Sequence, residues 1–206
     1  MTPPLTASSD RHILATRLLH AGLALAVIIQ LLSSLVLEPA EDGHVGNLYF
    51  EIHQYGGLAA FAFVLGFWIT VMVRRRGTSV GALWPWISGA RLSALWTDIR
   101  SHLSTLRHLR LPVHDDNAAL PSAIHGLGLL LVTAMAVSGT IYYFINQGDP
   151  DAGGLVGIVM FIHTSLANFV WAYLIGHAGF AVLQHGFNDY SLGNMWSLRP
   201  RRAQGK

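Results

Sequence analysis

Apolar residues in this chain come in four unbroken blocks, at about 18–37, 52–73, 121–145 and 155–187, separated by polar or charged stretches. Each block reaches or exceeds the roughly 20 residues a helix needs to cross a bilayer. None keeps the broad polar face of a helix on a soluble core. The pattern predicts an all-α integral membrane protein: one domain over residues 1–206, built as a four-transmembrane-helix bundle. The first block is too long for a signal-peptide core and lacks a small-residue cleavage site, so it is expected to remain as a permanent span.

One connection has a pattern of its own. Within residues 74–120, Leu92, Leu95, Trp96, Ile99, Leu103 and Leu106 recur at helical spacing, with Arg91, Arg100, Arg107 and Arg110 elsewhere on the wheel. With Trp84 and Trp86 leading in, this predicts an amphipathic helix ending at Pro112 and lying on the inner leaflet, or serving there as a docking surface for a partner subunit. The 146–154 connection, rich in Gly, Asp and Pro, is a turn region.

Composition agrees with the blocks. Of 206 residues, 52% are hydrophobic and 12% charged, against about 25% charged in a soluble domain. Mean hydropathy is +0.43. The absence of cysteine excludes disulfides, thiolate-held iron–sulfur clusters and covalent haem attachment through Cys-x-x-Cys-His. A haem here would be b-type, held by side chains alone.

Charge sets the topology. The 13 Lys and Arg residues are Arg11 and Arg17 near the N-terminus; Arg74, Arg75, Arg76, Arg91, Arg100, Arg107 and Arg110 between blocks two and three; and Arg199, Arg201, Arg202 and Lys206 after block four. The other two loops carry only acids: Glu38, Glu41, Asp42 and Glu51 in one, Asp149 and Asp151 in the other. By the positive-inside rule both termini are cytoplasmic. Tyr49, Phe50, Tyr142, Tyr143 and Phe144 fit an aromatic belt at the outer face. The expected surroundings are lipid, with no nucleic-acid partner.

Block four carries His163, His177 and His185, with no charge before Asp189. An ionisable side chain inside a membrane helix is a functional candidate by default. His163 and His177 are fourteen residues apart, about 21 Å of helical rise and within about 40° of one face. That spacing suits two stacked axial ligands for haem. The topology supplies partners: His20 opens block one on the side of His177, and His53 opens block two on the side of His163. Two bis-histidine haems in the bundle core follow, with His20, His53, His163 and His177 as iron ligands. Gly22, Gly56, Gly57, Gly176 and Gly179 would admit a flat macrocycle, though close helix packing also favours glycine. His163 lies about eight residues inside its block while His53 opens its own; helix tilt, or a second helix reaching back through 45–50, would bring them level.

His177, followed eight residues later by His185, then Asp189 and Met195, resembles the last helix of the prokaryotic cytochrome b561 family, related to the b-type cytochrome subunits of membrane nickel–iron hydrogenases. His20, His53 with Gly56, His125, and Ser138-Gly139 match the same pattern, so the resemblance covers all four blocks. It implies two non-covalent b haems in a bacterial cytoplasmic membrane and electron exchange with a quinone. The 74–120 loop is longer than in compact members, which leaves the partner open.

His125 and His185 both fall on the cytoplasmic side. They are candidates for a quinone site, where imidazole hydrogen-bonds the quinone oxygen and carries a proton, or for contacts with headgroups and propionates. His125 is also an alternative to His20 as ligand. Arg17, one turn before His20, is a candidate propionate partner, and Asp189 and Tyr190 are further candidates at that side. His12, His44, His102, His108 and His114 receive no role.

The leading function is transmembrane electron transfer by a di-haem b-type cytochrome, between the quinone pool and a redox protein. The resemblance also implies two alternatives: a superoxide oxidase reducing ubiquinone, or the haem-bearing membrane anchor of a larger oxidoreductase such as a hydrogenase. The acidic outer loops would repel superoxide and suit a basic protein partner. A divalent-metal transporter would bring carboxylates and clustered ligands near midplane, where these blocks have no acid.

Overall fold

Four long helices dominate the computed structural model, which describes residues 13–40, 44–74, 77–112, 115, 118–145, 153–187 and 192–196. They are α1 (Leu14–Ser33), α2 (Leu48–Val73), α5 (Ala119–Ile145) and α6 (Gly154–Phe187). At 20, 26, 27 and 34 residues they extend about 30 to 51 Å, enough to cross a hydrocarbon core of about 30 Å. Large apolar side chains such as Leu25, Ile69, Phe144 and Phe169 are exposed on all four. A helix completes its own backbone hydrogen bonds, so this apolar surface belongs in lipid.

The first two helices begin one turn before their apolar blocks, because polar residues open them. In α1 that turn holds Thr16 and Arg17, both buried. In α2 it follows Asn47, whose side chain accepts from Phe50 N at 3.0 Å and caps the helix. Glu51 in the first turn of α2 favours the same start through the helix dipole.

Neighbouring helices run antiparallel. Val64 on α2 packs with Val132 and Ala136 on α5, beside Leu23 and Val27 of α1. Further along, Val71 of α2 meets Leu129 of α5, so the two chains descend past each other. Trp68 Nε1 donates to Thr133 Oγ1 at 2.9 Å, tying α2 to α5 through a polar contact inside the bundle. Helix α6 packs principally on α5, and its buried residues are only Val159, Val170 and Gln184. A cleft therefore separates α6 from the α1–α2 pair.

One end of the bundle, here the basic end, holds the start of α1 and the connection after α2. That connection folds over the helix ends. Helix α3 (Val80–Leu83) is capped by Ser79, and a 3-10 turn follows at Pro85–Ile87. A side chain on Gly126 of α5 would collide with the Leu83 carbonyl, so only glycine lets the α3 backbone lie this close. Trp84 stacks on Trp68 with centroids 5.1 Å apart and planes 9° from parallel.

Helix α4 (Gly89–Arg107) buries Leu95 and exposes Leu92, Trp96, Leu103 and Leu106. Asp98 Oδ2 accepts from Leu120 N at 2.7 Å, fastening α4 to the first turn of α5. The helix ends at Arg107, ahead of Pro112. Leu109 turns the chain with φ of 54°, and Arg110 N donates back to Thr105 O at 3.2 Å, closing the last turn in a left-handed cap. Pro112 has another use: its carbonyl accepts from Gln184 Nε2 of α6 at 2.8 Å.

Candidate functional site

Two pairs of histidines face each other across the cleft between α6 and the α1–α2 pair. At the basic end, His20 of α1 and His177 of α6 have ring centroids 6.4 Å apart. At the other, acidic, end, His53 of α2 and His163 of α6 are 6.1 Å apart. The two α6 members lie about 21 Å apart along the helix. The earlier start of α2 brings His53 level with His163.

Serine hydroxyls hold both rings of the acidic-end pair. Ser33 Oγ, at the end of α1, lies 3.0 Å from His53 Nδ1. Ser138 Oγ, on α5, lies 3.0 Å from His163 Nδ1. Both serines are buried. The His163 ring rests against bare backbone at Gly139, where a Cβ would come within 3.1 Å of its Cε1. Nearby, the amide nitrogen of Gln30 is buried without a hydrogen-bond partner among the described residues and fills the notch over Gly56.

Aromatic contacts surround the basic-end pair. Tyr173, one turn before His177, lies flat on its ring at 5.3 Å and 8°. A side chain at Gly128 would overlap that phenol. Trp196 of the short helix α7 (Gly193–Trp196) meets His20 edge-on at 5.7 Å. Here α7 packs back against α1. His125 of α5 is 5.1 Å from His177, also edge-on, and is exposed. Arg17 is 6% exposed, one turn below His20.

This donor set fits haem. With a metal–imidazole bond of about 2 Å and a ring radius of about 1.1 Å, two imidazoles holding one iron between them would have centroids about 6.3 Å apart. Both pairs have that opening. Among the described residues no group of three or more His, Cys, Asp or Glu side chains is placed to hold a bare metal ion. Paired imidazoles suit an ion whose other positions come from a macrocycle. Beside His177, a Cβ at Gly176 or Gly179 would meet nothing within 4 Å among the described residues, leaving room for a flat group.

The structure thus gathers His20, His125, His177 and Arg17 at one end and His53 and His163 at the other. His185 stands apart, exposed and about 12 Å of helical rise beyond His177. Asp189 and Tyr190 lie outside the described residues, as do Arg11, Arg75, Arg76, Glu41, Asp42, Asp149, Asp151 and the 197–206 tail. Ser33, Tyr173 and Trp196 are site residues that sequence reasoning does not reach. Tyr173 had a usable signal, its four-residue spacing before His177.

A family model described as prokaryotic cytochrome b561 matches residues 11–198. No curated protein and no solved structure gives a match. The match covers most of the chain, which therefore belongs to the prokaryotic cytochrome b561 family.

Proposed function

We propose that this member of the prokaryotic cytochrome b561 family is a di-haem carrier. Membership brings b-type haem binding and electron transfer in a multi-pass membrane protein. The finer reading is that His20 and His177 hold one haem at the basic end, and His53 and His163 hold a second at the acidic end. When bound, haem supplies a one-electron ferric–ferrous couple. The observation that carries the reading is the near-equal opening of the two pairs, 6.4 and 6.1 Å, across one cleft.

The remaining polar residues take supporting roles. Arg17, buried beside His20, offsets the charge of a propionate in a low-dielectric setting. His125 is read as the group that hydrogen-bonds a quinone oxygen and passes it a proton at the basic end. His185, further out on α6, serves the same exchange from the surface. The distribution of Lys and Arg supports a cytoplasmic basic end in a bacterial inner membrane. There α4 rests on the leaflet, with Leu92, Trp96, Leu103 and Leu106 in the acyl region and Arg91, Arg100 and Arg107 among headgroups.

At the acidic end the loop charges favour a basic redox protein as partner over superoxide, an anion they repel. Service as the haem-bearing anchor of a larger oxidoreductase uses the same relay and differs only in the partner.

The test is vectorial transfer. In proteoliposomes containing the protein, external quinol should reduce ferricyanide trapped inside, and His163→Ala should abolish this. Trapped ferricyanide that stays oxidised with the wild-type protein would overturn transmembrane transfer.

A further inference from the structure

The two serines at the acidic end hold their histidines through the same pattern of bonds, although they come from different helices. Ser33 Oγ donates to Gln30 O at 3.1 Å, and Ser138 Oγ donates to Met135 O at 3.0 Å. A hydroxyl has one hydrogen and two lone pairs. With that hydrogen given to the carbonyl three residues back, each serine accepts from the imidazole beside it. In that arrangement both Nδ1 atoms, 3.0 Å from their hydroxyls, are the protonated nitrogens. A neutral imidazole protonated at Nδ1 keeps its lone pair on Nε2.

We propose that Ser33 and Ser138 are positioning residues that fix the Nδ1–H tautomer of His53 and His163 and, through it, lower the reduction potential of the acidic-end haem. The inference rests on the proposed ligation of that haem by His53 and His163. An imidazole that donates from Nδ1 is the more electron-rich at Nε2 and favours the ferric state of the iron it binds. Burial strengthens the effect, since each serine is sealed from water, at 4% and 6% exposure, and the bonds form in a low-dielectric interior. Gly139 supports the same geometry by letting the His163 ring lie against the backbone of α5 next to Ser138.

The test is a redox titration of the purified holoprotein, with haem counted per chain. Loss of one wave in His163→Ala identifies the acidic-end haem. In the Ser33→Ala/Ser138→Ala double variant that wave should move to higher potential, with the reduction equilibrium raised about tenfold, or about 59 mV for one electron. The other wave should stay in place. Ser33→Thr and Ser138→Thr, which keep the hydroxyl, should return the wild-type value. If alanine empties the site instead, the threonine variants should refill it at the wild-type potential. An unmoved acidic-end wave in the alanine variant, or threonine variants that fail to restore it, would overturn the serine role and leave the ligands in place. A wild-type protein with no wave that His163→Ala removes would overturn the ligand assignment itself.

Discussion

His125 meets His177 edge to face with ring centroids 5.1 Å apart, while His20 faces the same ring from 6.4 Å. An iron held between two imidazoles would need about 6.3 Å between their centroids, which the wider separation matches. His20→Ala should therefore leave one haem per chain, and His125→Gln should keep two. A pyridine haemochrome count on each variant separates them. Loss of a haem in His125→Gln would exchange the roles of these two residues.

The acidic-end pair should behave as a unit. His53→Ala and His163→Ala should each remove one haem, the same one, and leave the other's absorbance band unchanged. Retention of both haems in either variant would contradict the pairing. The variants should also fold, because the α2–α5 core around Val64, Val132 and Ala136 does not include either histidine.

His185→Ala should spare both haems and slow exchange with quinol severalfold, read as the rate of haem reduction after mixing. A missing haem in this variant would make His185 a ligand.

Gly126→Ala tests the packing of the loop over the basic end. The added methyl would press on the Leu83 backbone carbonyl, which cannot rotate away as a side chain would. An overpacked contact of this kind costs about 1–3 kcal/mol, more than the roughly 1 kcal/mol that alanine gains over glycine in a helix. The thermal midpoint should fall, and the Trp68–Trp84 stack should loosen with a change in tryptophan fluorescence. An unchanged midpoint would show that α3 does not rest on α5.

The four apolar helices could be read from the chain because only long apolar blocks span a bilayer, and the positions of His20, His53, His163 and His177 in those blocks anticipated which of them meet. What could not be read depends on rotation and on local chain reversal. The one-turn earlier start of α1 rests on Thr16 and Arg17, polar residues that an apolar count discards; that of α2, capped by Asn47, was signalled only by the depth of His163. The end of α4 follows from Leu109 adopting a left-handed conformation, which that residue type gives no reason to expect. Ser138 stood out only as part of a Ser-Gly pair, and Ser33 was hidden. A serine in a membrane helix ordinarily bonds its own preceding turn, so its second partner emerges only when the neighbouring helix is in position. Trp196 reaches His20 because α7 folds back on α1, a path the tail's composition does not encode.

The proposed relay places two haems on one four-helix frame, each held by a histidine from α6. A reduced-minus-oxidised spectrum of the purified protein, with haem counted by pyridine haemochrome, tests it most directly. Two b haems per chain with low-spin bis-histidine bands are expected. One haem per chain, or none in protein produced with haem available, would contradict it.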